Sequence, residues 1–439
     1  MNSNSKIVPY LFNCCNHYNS YSRFRLCIMK GKRRRHEEVQ GRMKTLRHGT
    51  FKWMKSINRT IVLNKIRKNA PISRAQIASD TGLTPPTVGN IVKGLLEKDL
   101  IRETQLGESQ GGRKPTLLML NNNHLFVIGV DAGPASIRCI LTNLAGQTQK
   151  EWVSPSIKGA SEEQFLQEMI DGVRYLLQGD LPKEKVIGIG VAMHGAVDAV
   201  SGTGLFAPNL GFRDLSIKSR LEEEFDLDVK VDNDARAMAM GEYWFDEHGE
   251  IETLVALNIG SGVGSGIILN GKLFYGAQSV AGEIGHMTID LYGELCECGN
   301  VGCLQTLATG DAIARQAKKE MPLEMINRLN EPLSGETVYK LAKEGNDIAI
   351  RILERTGTVI GIGIINLIHL LNPERIVIGG GVSLASEFIM PSIKKAIQDR
   401  GLTQQVKDTE VVLAKLGSDS TAKGAVAIVL DTLFHPQNS

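Results

Sequence analysis

The feature that most constrains the fold is a series of apolar runs after residue 125, each ending in glycine or aspartate. Such runs predict buried strands whose ends turn into loops, and helical stretches at 161–178, 235–245 and 345–371 lie between them. The alternation predicts a two-lobed α/β body over residues 125–439, with ligands bound at the strand ends. The runs are LFVIGVDAG, VIGIGVAMHGAVD (186–198), VKVDNDA (229–235), LVALNIGSGVGSGIIL (254–269) and RIVIGGG (375–381).

Residues 51–120 show a helical pattern instead. The stretch SINRTIVLNKIRKNAPIS repeats apolar residues at helical spacing until Pro71, which ends that helix. Ser73 is then the predicted N-cap of a short helix that stops at Gly82, and Thr84 the predicted N-cap of the next helix. This order predicts a helix-turn-helix.

A polar, glycine-rich loop at Gly107–Gly112 follows between two strand-like segments, which predicts the wing of a winged helix. Residues 1–120 contain 23 Lys and Arg but 7 Asp and Glu, whereas the remaining chain contains 27 and 41. This asymmetry favours a basic DNA-binding module joined to an acidic body. A helical protein-interaction module with the same core is the alternative, and a solvated basic tail accounts for part of the excess charge.

The helix that begins near Thr84 is the predicted recognition helix of this module. Its apolar residues face inward, so its polar side chains are left to enter the major groove, and Asn90 is the best candidate for a base edge. Arginines on the preceding helix and by the wing are expected to contact the DNA backbone or minor groove. The predicted DNA-binding residues are Arg74, Thr84, Thr87, Asn90, Lys93, Arg113 and Lys114.

One histidine and three cysteines lie close together in GHMTIDLYGELCECGNVGC: His286, Cys296, Cys298 and Cys303. One nitrogen and three sulfur ligands suit tetrahedral zinc, and no coordination position is left for a water nucleophile. We therefore predict a structural zinc ion that holds this loop. The alternative is a group of buried cysteines that bind no metal.

The longest apolar run, IGIGIINLIHLL (360–371), is short for a membrane span and contains Asn366 and His369. The N-terminus lacks the uninterrupted apolar region of a signal peptide. We therefore expect a cytoplasmic protein without membrane association, whose cysteines are reduced. Residues 1–42 lack sustained periodicity and include KGKRRRH, which predicts a disordered basic extension.

Residues 125–431 resemble the ROK family of repressors, open reading frames and kinases. The resemblance is carried by VDNDARAMAMGE, GSGVGSGI, GEIGHM…CECGNVGCL and NPERIVIGGG, in this order. It implies an actin-like, sugar-kinase ATPase fold with two lobes and a hinge near residue 234. The repressor branch of the family, which includes xylose and N-acetylglucosamine repressors, has the same layout of a winged helix followed by a sugar-binding domain.

The resemblance also implies a sugar site. Asp234 matches the general base of the family's kinases, and Glu283 and His286 match residues that face the sugar. Gln305 stands where sugar kinases usually carry glutamate. Carboxylates and amides suit sugar hydroxyls, which both donate and accept hydrogen bonds. The implied sugar-binding residues are Asn209, Asn233, Asp234, Glu283, His286 and Gln305.

The phosphate loops match the kinases less well. Family kinases carry Asp-x-Gly-Gly-Thr in the first loop, whereas this chain reads DAGPAS, with Pro134 and Ala135 in place of the second glycine and the threonine. Proline offers no N–H to a phosphate, so the backbone cradle is damaged. His194, where proline is frequent in the family, is expected to be a core histidine. The phosphate-loop remnant comprises Asp131, Gly133, Gly260, Gly262 and Gly264.

We therefore expect a sugar-responsive DNA-binding repressor of carbohydrate-utilisation genes, such as those of xylose metabolism, that binds operator DNA as a homodimer and is not an enzyme. An ATP-dependent sugar kinase with a DNA-binding extension is the alternative. For a scaffold that binds a transport component, the sequence contains no signal.

Overall fold

The computed structural model describes residues 51–106, 115–154, 159–179, 181–207, 209–245 and 251–435. The predicted extension at 1–42, the loop at Gly107–Gly112, and Arg113 and Lys114 lie outside the described residues. Residues 60–437 form one compact unit.

The N-terminal module follows the predicted helix-turn-helix order. The Ser73 hydroxyl caps its helix by accepting from the Gln76 N–H at 3.1 Å, and Gly82 ends that helix in the left-handed conformation, φ 69°. Thr84 is the N-cap residue of the next helix, as predicted, although its hydroxyl bonds to Thr87 Oγ1 and not to a backbone N–H. The elements are α1 (Phe51–Asn69), β1 (Ile72–Ser73), α2 (Arg74–Thr81), α3 (Pro85–Leu96), β2 (Ile101–Leu106) and β3 (Thr116–Leu120), with the sheet in the order β1-β3-β2.

The first lobe of the body is a mixed sheet in the order β11-β7-β4-β5-β6. Strands β4, β7 and β11 run parallel, so their carboxyl ends lie at one edge of the sheet. Its elements are β4 (Phe126–Ala132), β5 (Ile137–Asn143), β6 (Thr148–Val153), α4 (Glu162–Leu177), β7 (Val186–Met193), β8 (Ala196–Asp198), β9 (Thr203–Ala207), β10 (Phe212–Ser216), α5 (Ile217–Phe225) and β11 (Val229–Asn233).

The second lobe has a sheet in the order β14-β13-β12-β15-β16. The run at 254–269, expected to be one strand, forms the antiparallel pair β12 and β13, because the glycines at 260–262 turn the chain back. The strands are β12 (Leu254–Ile259), β13 (Val263–Leu269), β14 (Lys272–Leu273), β15 (Arg375–Gly379) and β16 (Glu410–Leu413). The helices are α7 (Gln305–Ala308), α8 (Gly310–Glu320), α9 (Leu323–Asn327), α10 (Gly335–Lys343), α11 (Asp347–Leu371), α12 (Ser386–Arg400) and α13 (Gln404–Lys407).

Helices α6 (Asp234–Phe245) and α14 (Ser420–Phe434) pack tightly against each other. A Cβ at Gly424 would lie 1.9 Å from the Ala237 carbonyl oxygen, so only glycine permits this backbone approach. The helices predicted at 161–178, 235–245 and 345–371 are confirmed as α4, α6 and α11 to within two residues at each end.

The C-terminal ends of α6 and α14 contact the N-terminal module. The Arg67 guanidinium stacks on the Trp244 ring, 4.0 Å from its centroid, and Asn64 Nδ2 donates to the Phe434 carbonyl at 2.6 Å. Asp234, the first residue of α6, lies at the opposite end of that helix.

Among the helices of the described residues, none combines the length and apolar composition needed to span a membrane.

Candidate functional site

A cavity of about 600 Å³ lies at the carboxyl ends of β4, β7 and β11 and extends to the β12–β13 turn. It brings together two groups of residues that are distant in sequence. The group implied to bind sugar comprises Asn209, Asn233, Asp234, Glu283, His286 and Gln305. The phosphate-loop group comprises Asp131, Gly133, Gly260, Gly262 and Gly264.

Asp234 is held at the start of α6 by several hydrogen bonds. Its Oδ1 accepts from Asn233 Nδ2 at 2.9 Å and from the Ala235 N–H at 2.8 Å. Asn233 Oδ1 caps the same helix by accepting from the N–H groups of Ala235 and Arg236. These contacts occupy Oδ1 and leave Oδ2 of Asp234 to interact across the cavity.

His194 connects Asp234 to Asn209. Its Nδ1 lies 3.1 Å from Asp234 Oδ2, and its Nε2 lies 3.0 Å from Asn209 Nδ2. His194 therefore lines the cavity with its side chain 14% exposed, and the expectation of a core histidine was wrong. Its position before a glycine, within the predicted run at 186–198, was the available signal.

Burial alone would lower the pKa of His194, but the hydrogen bond to Asp234 and the negative charges of Asp234 and Asp131 raise it overall. Burial also raises the pKa of Asp131, with a further contribution from the charge of Asp234, to about 7. Acidic groups therefore crowd this end of the cavity, beside the remnant of the first phosphate loop.

Arg236 lies beneath the cavity, and sequence reasoning did not single it out. Its Nε donates to Asp232 Oδ1 at 2.6 Å, Nη1 donates to the Ser279 carbonyl and Nη2 to the Val197 carbonyl. Tyr275 donates to the other Asp232 oxygen at 2.8 Å. One buried ion pair thus joins β8, β11 and the segment that leads into Glu283.

The two phosphate-loop remnants face the same cavity. Pro134 lies in its lining and has no N–H to offer an anion. In the second loop, the Gly260 N–H donates to the Gly262 carbonyl at 2.9 Å, so this donor is also occupied. Neither position therefore offers a free backbone N–H to a bound phosphate.

The predicted metal ligands converge. One ligand atom each from His286, Cys296, Cys298 and Cys303 lies within 4.8 Å of every other. The distances from Cys296 Sγ to His286 Nδ1 and from Cys298 Sγ to Cys303 Sγ are both 3.7 Å. A tetrahedron with Zn–S bonds of about 2.3 Å has sulfur–sulfur edges of roughly 3.8 Å, so the residues fit zinc.

The loop around the cluster depends on tight turns. Gly302 has φ 69°, and a Cβ there would meet the Asp290 carbonyl at 1.5 Å. Hydrogen bonding to the Asn300 N–H lowers the pKa of Cys298 to about 7, while burial raises that of Cys303 to about 12. His286 directs Nδ1 at the cysteines and also lines the cavity, so it connects the cluster to the cavity.

The predicted recognition helix, α3, exposes a polar face. Val88, Val92 and Leu95 are buried, whereas Asn90 and Lys93 are exposed. Arg74, on α2, pairs with Glu103 at 2.7 Å. Thr84 is exposed and Thr87 half-buried.

Comparison with known proteins identifies a protein family and similar sequences. Residues 127–432 match the model of the ROK family. The chain is 32% identical to the xylose repressor of Caldicellulosiruptor bescii over 396 residues, which cover 89% of this chain and 99% of the relative. It is 30% identical to the DNA-binding transcriptional dual regulator NagC of Escherichia coli strain K12, covering 87% of this chain and 94% of that protein.

Solved structures give the same grouping. A ROK family transcriptional regulator, homolog of the E. coli MLC protein, matches with a TM-score of 0.75 and 28% identity, covering 87% of this chain and 97% of that one. A ROK family glucokinase from Streptomyces griseus, in complex with glucose and AMPPNP, matches with a TM-score of 0.63 and 28% identity, covering 70% and 99%. The regulator thus matches a larger share of the chain than the kinase does.

Proposed function

Because the chain belongs to the ROK family, we propose that it is a sugar-responsive transcriptional repressor of carbohydrate-utilisation genes. The observation that carries the proposal is that one chain combines a helix-turn-helix with an exposed polar face and a cavity lined by carboxylates and amides. Relatives that the chain matches over most of their length are named a xylose repressor and an N-acetylglucosamine repressor.

In this proposal α3 enters the major groove of operator DNA. The exposed side chains of Asn90 and Lys93 are available for a base edge and a phosphate, and the buried face of α3 fixes their direction. Arg74, on α2, would exchange its contact with Glu103 for DNA phosphate. Two copies of the module reading half-sites of a two-fold operator would make the repressor a homodimer in the cytoplasm.

The cavity would hold a monosaccharide. Asp234 Oδ2 and the Glu283 carboxylate would accept from hydroxyls, and so would the amide oxygens of Asn209 and Gln305, whose amide nitrogens face His194 and Cys296. The cluster of His286 and the three cysteines would hold a zinc ion that, with every ligand supplied by protein, is structural. It would fix His286 at the wall of the cavity.

A thermal-unfolding screen of the full chain against D-xylose, D-glucose and N-acetyl-D-glucosamine tests the sugar site. A sugar at about 100 times its dissociation constant should stabilise the fold by about 2.7 kcal/mol. Selection of bound sequences from a random pool of DNA duplexes tests whether the chain binds a specific DNA sequence. A chain that enriched no sequence, or that responded to no monosaccharide, would contradict the proposal.

A sugar kinase is the second candidate, because Asp234 and both phosphate-loop remnants line one cavity. Pro134 and the occupied Gly260 N–H weigh against it. We expect no ATP-dependent sugar phosphorylation in a coupled assay. Turnover above about 1 per second, within the usual enzyme range, would establish the kinase instead.

A further inference from the structure

His194 occupies the centre of the cavity's hydrogen-bond chain. An ionised carboxylate can only accept hydrogen bonds, so opposite the Asp234 carboxylate the proton in the 3.1 Å contact belongs to His194 Nδ1. Nε2 of the neutral ring is then an acceptor, and it receives the N–H of Asn209 Nδ2 at 3.0 Å. In this state Asn209 leaves its Oδ1 free to accept from a ligand.

A proton on Nε2 would reverse that arrangement. Nε2 would become a donor opposite the Asn209 amide nitrogen, and Asn209 would have to turn its Oδ1 towards the ring. The ion pair formed with His194 would also hold Asp234 Oδ2 more strongly. Both changes withdraw hydrogen-bond acceptors from a ligand whose hydroxyls need them.

The surroundings of His194 raise the pKa of its ring above the ordinary value. The charged groups facing His194 are Asp234, at the start of α6, and Asp131, at the end of β4, and their negative charges favour the charged ring over the effect of burial. Glu283 and His286 line the same cavity on the second lobe. The His194 backbone is fixed by its N–H, which donates to the Ala132 carbonyl at 3.2 Å.

We infer that His194 is a positioning residue of the carbohydrate site: it orients Asn209 and Asp234 while neutral, and its protonation weakens sugar binding. The inference rests on the proposed function, because it assigns a regulatory proton to the same site. It makes the chain's response to sugar depend on pH, with release of one proton when the sugar binds.

The experiment is isothermal titration of the full chain with D-xylose, D-glucose and N-acetyl-D-glucosamine between about pH 6 and pH 8. The affinity of wild type for the sugar it binds should fall as the pH is lowered, by at most about tenfold per pH unit, the limit for one linked proton. The affinity of His194→Gln should fall less than that of wild type as the pH is lowered, because its amide donates to Asp234 and accepts from Asn209 without titrating, whereas Asp131 in the same cavity still changes charge near pH 7. His194→Ala, which loses both contacts, should bind about tenfold more weakly.

His369→Gln is the matched control. His369 lies on α11, where its Nε2 accepts from the Leu402 N–H, and it is not part of the cavity. The sugar affinity of His369→Gln should change with pH as that of wild type does. Should His194→Ala fail to fold, the comparison of His194→Gln with wild type still decides the question.

Two results would overturn the inference, and they are distinguishable. If wild type binds one of these sugars and His194→Gln shows the same fall at acidic pH, the titrating group is another one and the inference is wrong. If wild type binds none of these sugars at any pH, the proposed function fails and the inference fails with it.

Discussion

At the scale of single residues, Arg236 connects the segments beneath the cavity. Its side chain is 4% exposed, and that of its partner Asp232 is 1% exposed, so water contributes little to solvating either charge. A buried ion pair of this kind adds little stability over an apolar substitute, but removal of one partner leaves an isolated buried charge. The pair therefore matters chiefly because it orders β8, β11 and the segment before Glu283.

We predict that Arg236→Met lowers the free energy of unfolding by about 3–5 kcal/mol, because Asp232 would be left buried without its countercharge. Urea denaturation measures this loss. Arg351→Met, at an exposed position on α11, is the control and should change stability by no more than about 0.5 kcal/mol. Equal effects of the two substitutions would show that the Arg236 pair is not needed.

Asp131 allows a second test at this scale, because its pKa is about 7 in the folded chain and its ordinary value is 3.8. Between these values the unfolded chain loses the proton while the folded chain keeps it. Stability must then fall as the pH rises through this window, and the loss is complete above about pH 7.

Asp131→Asn cannot ionise, so we predict that its stability relative to wild type is near zero at about pH 4 and increases towards pH 8, by a few kcal/mol at most. Unfolding curves of both chains across this range give the difference. A difference independent of pH would contradict the raised pKa.

At the scale of elements, the segment from His286 to Cys303 is held by little apolar burial. Leu291, Tyr292 and Leu295 are 78%, 95% and 73% exposed. A segment with so few buried side chains needs another source of order, and the cluster of four ligands lies at its base. Single substitutions in this metal-binding segment and in α3 can be tested by measuring bound zinc and DNA affinity.

We predict one zinc ion per chain by elemental analysis, and loss of that ion in Cys298→Ser. The substitution should lower the melting temperature and the sugar response, because the wall that carries His286 loosens, while DNA binding by α3 persists. Absence of metal from carefully purified wild type would contradict a structural zinc site.

For α3, Asn90→Ala should cost roughly 1–3 kcal/mol on the selected operator and relax its sequence preference, because an amide can pair with adenine at two positions. Lys93→Ala should weaken binding to all sequences and lower the slope of affinity against salt concentration by about one, because Lys93 would contact a phosphate in the proposed complex. Gel shifts over a salt series separate the two. An unchanged preference in Asn90→Ala would move base recognition to another element.

At the scale of the whole molecule, the sequence predicted the order of modules and most of the strands, because burial and capping are local signals. Ser73 and Gly82 marked their helix ends from residue type alone. Contacts between distant segments were not predictable in this way. His194 looked like a core residue because its partners, Asp234 and Asn209, are brought to it only by the packing of β7 against β11 and by the loop after β9.

At the same scale, two packed helices connect the cavity to the N-terminal module. Helix α6 begins with Asp234 in the cavity and ends with Trp244 against Arg67 of the N-terminal module. The close approach at Gly424 ties α14 to α6, and Phe434 at the end of α14 contacts Asn64. A ligand in the cavity and a DNA duplex on α3 therefore act on one continuous packed structure.

The most direct test of the account is the affinity of the full chain for its selected operator duplex, followed by fluorescence anisotropy with and without D-xylose, D-glucose or N-acetyl-D-glucosamine. We predict that the sugar which stabilises the fold also weakens operator binding at least about tenfold, within the usual range of allosteric coupling. Asp234→Asn should bind the operator but lose this response. Operator affinity that is unchanged by a sugar bound in the cavity, or no DNA binding at any salt concentration, would contradict the account.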